Sequence, residues 1–165
     1  MKIHINHLND FINNQLNIND LSKLLVKLGH ENEIDEGIID LEITPNRGDC
    51  LSLNGIKREL TNFYEVKNYL QIFEKEIKEF KLDFINEARE DCPQIMFLLI
   101  EIEDIPSKYS SYLDNYFEDL LIKKNNFFTD VSNYISYELG QPTHCYDFKK
   151  LGEKLILERA KKEYN

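Results

Sequence analysis

The stretch LEITPNRGDCLSLNGIKREL, residues 41–60, constrains this chain more than any other part of it. An apolar run closes at Ile43, Pro45 follows, and apolar residues return at Leu53, Ile56, Leu60 and Phe63. Pro45 pushes Thr44 toward extended backbone, so a strand over Ile38–Ile43 ends there. The later spacing of three, four and three residues predicts a helix with one face toward a core. A strand and the helix after it must therefore share an interior, joined by a short polar hinge. Asp49 stands where an N-cap is needed, its carboxylate set to accept from the amides near Leu51 and Ser52. Arg47 has the reach to pair with Glu42 or Glu59 across the turn. One carboxylate, one arginine and one asparagine, with no partner histidine or metal-ligand spacing, do not make a catalytic set. Thr44, Pro45, Asn46, Arg47 and Asp49 thus read as structural residues of a strand-to-helix turn.

The same reasoning orders the rest of the chain. Leu21, Leu24, Leu25 and Leu28 recur at helical spacing behind the capping pair Asn19-Asp20, and Gly29 ends the pattern. A shorter helical turn carries Leu8, Phe11 and Ile12, and Ile34–Ile38 reads as a turn leading into the strand. Residues 1–67 form one α+β unit on this reading. Residues 68–91 form a charged linker, with a short strand expected at Leu70–Phe73 or at Glu79–Phe84. A second unit, residues 92–165, opens at Cys92-Pro93 with a strand over Ile95–Ile105. Leu113, Tyr116, Phe117, Leu120 and Leu121 make the clearest helical stripe in the chain. Val131, Tyr134, Ile135 and Leu139 mark another helix behind Thr129-Asp130, with Gly140 as its stop. Two strands, His144–Phe148 and Lys154–Ala160, follow around Gly152. The expected fold class is α+β, built as two small mixed units.

Charge and composition exclude several functions. Twenty basic against thirty acidic residues give a net charge of −10, which opposes binding of DNA or RNA through the whole surface. Apolar runs such as Phe97–Ile100 are far too short to cross a bilayer. The first residues lack the apolar core of a signal peptide, so a cytoplasmic protein without membrane partners is expected. Cys50, Cys92 and Cys145 form no CxxC pair and fit reduced thiols. His4, His7 and His30 show no ligand spacing with cysteines or carboxylates, so no metal site is expected. His144 and Cys145 would point to opposite faces of a strand, which rules them out as a nucleophile pair. Tyr109, Tyr112 and Tyr116 read as core or interface surface.

At this point two sequence blocks carry a resemblance. DLEITPNRGDCLSLNGIKREL is similar to the signature near the start of the bacterial phenylalanyl-tRNA synthetase β subunit, where TPNR, a small residue, DCLS, GI and AREL follow in order. Residues 92–148 resemble that family's next domain, which opens with Cys-Pro and runs through Asp-Val-Thr-Asn-Tyr to Glu-Leu-Gly-Gln-Pro-x-His-Ala-Phe-Asp. Asp130, Val131, Asn133, Tyr134, Glu138–Pro142 (with Gln141 and Pro142), His144 and Asp147 stand in place. The span from Gly29 to Leu41 is too short for the OB-type tRNA-binding insertion that many family members carry.

The resemblance implies the N-terminal portion of a β subunit and the start of an editing (B3/B4-like) domain. It implies a partner α subunit in an α2β2 ligase, tRNA(Phe) bound through the complete complex, and ATP and Mg2+ used by that complex. No cofactor is expected on this chain, and no catalysis by it alone. In the family the editing domain hydrolyses mischarged tyrosyl-tRNA, and His144 occupies the position of its pocket histidine. An imidazole titrating near neutrality is suited to orient water or donate a proton to an ester. Gln94 and Leu98 stand where the family commonly has arginines, and Cys145 and Tyr146 replace alanine and phenylalanine. Three functions follow: a scaffold and partner surface in the ligase, a free-standing hydrolase of Tyr-tRNA(Phe), and a non-catalytic paralogue acting as an interaction module.

Overall fold

The computed structural model describes residues 1–13, 15–67, 77–152 and 154–160. The expected strand at Leu70–Phe73 lies outside the described residues. The fold is a mixture of helices and small sheets, as the α+β expectation requires.

Alternation within one strand organises the N-terminal sheet. β3 (Ile38–Glu42) is the middle strand, antiparallel to β1 (Lys2–His4) on one side and β2 (Glu31–Asp35) on the other. Ile39 and Leu41 point to one face and join Ile3, Leu8, Leu21, Leu25, Ile56 and Leu60 in a buried cluster. Ile38 points to the other face and joins Leu113, Tyr116, Phe117 and Leu120 in a second. The strand thus buries apolar side chains on both sides of the sheet. β2 and β3 pair Asp35 with Ile38, leaving Glu36-Gly37 as a two-residue turn with φ of 44° and 91°. Both values are positive, as a type I′ hairpin demands. The expected turn at Ile34–Ile38 is therefore half strand, because β2 already pairs through Asp35.

α1 (Ile5–Asn9), α2 (Ile18–Lys27) and α3 (Leu53–Leu60) cover the first face. α2 is capped by Asn17, whose side chain accepts from the amides of Asn19 and Asp20, so the cap sits upstream of the predicted pair. Gly29, at φ 94°, ends it as expected. α4 (Ser111–Asp119) and α5 (Phe127–Leu139) bring the second aromatic face. Asn126, not Thr129-Asp130, caps α5 through the Thr129 amide. Gly140 closes α5 in the left-handed conformation at φ 72°. Leu121 falls past the end of α4 and is 82% exposed, so the predicted stripe stops at Leu120.

Packing groups Met1–Gln71 with Pro106–Cys145 as one unit, and Ile72–Ile105 with Tyr146–Asn165 as another. Packing interleaves along the chain, whereas the sequence blocks divide it in order. In the second unit, β4 (Phe84–Asn86) pairs parallel with β5 (Leu155–Leu157). Arg159 pairs with Asp91, and the Phe84 and Phe97 rings meet edge to face at 4.8 Å. The expected strand over Ile95–Ile105 is not formed, because those residues join no ladder among the described residues. The same holds for His144–Phe148, which gives way to a 3-10 turn at Phe148–Lys150.

Candidate functional site

The hinge folds as a 3-10 turn over Pro45–Cys50, with Pro45 at its first position and Thr44 extended before it. Arg47 breaks the turn with non-helical backbone, φ −114° and ψ 43°, and its guanidinium reaches Glu59 near the end of α3. Nε and Nη2 hold Asp49 as a fork at 3.0 and 3.1 Å. Nη2 also reaches Cys50 Sγ at 2.9 Å and Glu59 Oε1 at 2.8 Å. Arg58 closes on the other side of Asp49. Arg47 therefore chooses Glu59 over Glu42. The Arg47 hydrogen bond holds the Asp49 carboxyl at about 2, well below the usual carboxylate range, and Asp49 in return raises the arginine further. Burial pushes the Cys50 thiol up, against the pull of Arg47.

Asp49 is not the helix cap. That duty belongs to Ser52, whose hydroxyl accepts from the Gly55 amide at 3.0 Å. A Cβ on Gly55 would stand 2.1 Å from the Asp49 carbonyl oxygen, so the turn lies directly on α3. Asp49 is left free to bind the two arginines.

The fold also brings His30 to this place. It follows Gly29 at the end of α2, is 1% exposed, and has no hydrogen-bond partner on either ring nitrogen among the described residues. Ligand atoms of His30, Cys50 and Glu59 all lie within 4.8 Å of one another. Sequence spacing had no means of finding this group, since its members come from the end of α2, the 3-10 turn and α3. The one available signal was a histidine directly after a helix-stopping glycine and before a strand, where a buried position is common.

The other signature residues lie apart from the hinge cluster in role. Asp130 is fully buried and accepts from Tyr109 Oη at 2.7 Å and from the Asn125 amide at 3.0 and 3.1 Å. This bond pushes the Tyr109 phenol up to about 12. Asn133, Gln141, Pro142 and His144 are exposed, as are Thr44, Pro45 and Asn46. The Gln141 carbonyl accepts from Ser136 Oγ at 3.2 Å. Gln94 is exposed and Leu98 is 63% exposed. Cys145 Sγ lies 3.4 Å from Ser132 Oγ.

A second polar group joins α1, α4 and α5. His4 Nδ1 accepts from the Asn6 amide at 3.3 Å and stands 3.4 Å from Asp119 Oδ2. His7 meets Tyr137 Oη at 2.8 Å and has Asp119 Oδ2 3.3 Å from Nε2. Burial pushes His7 down, with Asp119 opposing, and burial raises Tyr137 far above the usual phenol range. Each histidine has a local duty here, capping α1 or tying it to α5.

The B3/4 domain family matches residues 92–165. The phenylalanine–tRNA ligase β subunit of Rickettsia bellii is 33% identical over 133 residues, covering 76% of this chain and 15% of the relative. That of Listeria monocytogenes is 35% identical over 134 residues, covering 79% of this chain and 17% of the relative. The Acinetobacter baylyi protein is 31% identical over 134 residues, with 78% and 16% covered. The chain thus spans about one sixth of the length of these curated relatives.

Proposed function

We propose, from the likeness of this chain to phenylalanine–tRNA ligase β subunits and of residues 92–165 to the B3/4 domain family, that it serves as a non-catalytic scaffold in ATP-dependent charging of tRNA(Phe). Its partner on this reading is the ligase α subunit, in an α2β2 assembly that supplies ATP, Mg2+ and the charging chemistry. The observation that carries the proposal is the state of the hinge. Arg47, Asp49, Arg58 and Glu59, four charged residues of its most distinctive block, are spent on one another. They hold a turn against a helix. Such a site fixes a surface for another chain to meet.

Purification of the native product under mild conditions tests this. Association with the catalytic subunit, and tRNA(Phe) charging only by the pair, is the expected result. A product that never associates with that subunit overturns it.

A second reading, hydrolysis of Tyr-tRNA(Phe), draws on His144, which is exposed within the segment that matches the B3/4 domain. It predicts deacylation that disappears in His144→Ala. Deacylation that survives that substitution, or none by the intact chain, removes it.

A further inference from the structure

His30 sets the problem. An imidazole buried with both nitrogens unpartnered among the described residues forfeits the hydrogen bonds that water supplies in the unfolded chain. Its ring faces a thiol and a carboxylate whose ligand atoms, with its own, fall within 4.8 Å. Ligands around a tetrahedral zinc stand roughly 3.3–3.8 Å apart, given metal–ligand bonds of about 2.0–2.3 Å. Movements of about 1 Å therefore suffice to close the three on one ion. Arg47 already occupies part of this space as a cation, and it is oversubscribed. Its Nη2 carries two hydrogens and faces three acceptors, in Asp49, Cys50 and Glu59, at 3.1, 2.9 and 2.8 Å.

We propose that His30, Cys50 and Glu59 bind a single zinc ion, and that Arg47 is the stand-in cation that withdraws when the metal arrives. Nitrogen, sulfur and oxygen donors in this number suit zinc, with a fourth position open to water. The Cys50 proton passes to solvent on binding, so thiolate and carboxylate together neutralise the ion. Arg47 keeps its fork to Asp49 after release. The site joins the end of α2, the hinge and α3, and it works as a clamp on the turn.

The test uses the complete chain, stripped of metal, titrated with Co2+ by absorbance and with Zn2+ by competition against a chromophoric chelator. One equivalent of cobalt should bind with a thiolate-to-cobalt charge-transfer band. C50S should abolish the band and weaken zinc by about 100-fold, with H30Q and E59Q costing about 10- to 100-fold each. Cooperative unfolding of each variant is checked first, since Cys50 is fully buried. R47Q supplies an independent arm, because removing the competing cation should tighten zinc. No uptake by the intact chain overturns the proposal. So does uptake that folded H30Q and C50S leave unchanged, which would place the metal elsewhere, and so does weaker binding in folded R47Q.

Discussion

In the unit built on β1–β3 and α1–α5, Ile3, Leu8, Leu21, Leu25, Ile39, Ile56 and Leu60 are all 0% exposed. In the unit around β4 and β5, Met96 is 95% exposed and Leu98 and Ile100 are each 63% exposed. The two stretches are alike in apolar character, and what separates them is company. β3 has a strand on each side and helices over both faces, so its apolar residues find cover and its backbone finds partners. Residues 95–105 meet no ladder among the described residues. Apolar sequence supplies the wish to be buried; pairing and a second layer decide whether a strand results.

Substitutions at matched apolar positions give the sharpest contrast. Phe117→Ala empties a position that is 2% exposed and should cost about 3–5 kcal/mol in urea unfolding. If it costs less than about 1 kcal/mol, the second aromatic face is not a core. Asp130→Asn comes next. It weakens charge-assisted bonds to Tyr109 and Asn125 and should cost about 2–3 kcal/mol. It should also bring the Tyr109 phenol down from about 12 toward 10, followed by ultraviolet difference spectra.

Arg47→Ala should lower the unfolding midpoint by less than Asp130→Asn and leave α3 in place. Its signature is in acid. The Asp49 carboxyl lies at about 2 when folded, below its ordinary 3.8, so its contribution is whole above 3.8 and lost as pH falls toward 2. In Arg47→Ala that acid-dependent loss should shrink, and carbon-detected NMR should show the Asp49 carboxyl returning toward 3.8. An unchanged acid limb would mean that Arg58 alone holds Asp49. The smallest effect belongs to the other unit: Leu98→Ser should change stability by no more than about 0.5 kcal/mol. A large loss there would show that residues 95–105 are covered in solution, and the contrast between the units would fall.

Much of the first unit was legible in the sequence. The leucine spacing of α2, the stripe Leu113 to Leu120 and the stops at Gly29 and Gly140 all depend on local periodicity and on φ, which the residues themselves dictate. Caps were harder to place. Asn17, Ser52 and Asn126 lie two or three residues from the nearest expected cap, because several Asn, Asp and Ser residues compete and packing decides which leaves the helix. Arg47–Glu59 was readable as one of two options, since both partners lie near in sequence. His30 beside Cys50 and Glu59 was not, because that meeting depends on how α2, the turn and α3 stack.

Gly140 and Ser52 show one more result of that stacking. A Cβ on Gly140 would stand 3.1 Å from the Ser52 Cβ, so the closing turn of α5 lies against the opening turn of α3. Peptide dipoles leave partial negative charge at the carbonyl end of one helix and partial positive charge at the amide end of the other. The two ends face each other across a narrow gap, with opposite partial charges. A side chain at position 140 would strain the backbone at its positive φ and press Ser52 back by a few tenths of an ångström, at the seam where the two helix ends meet.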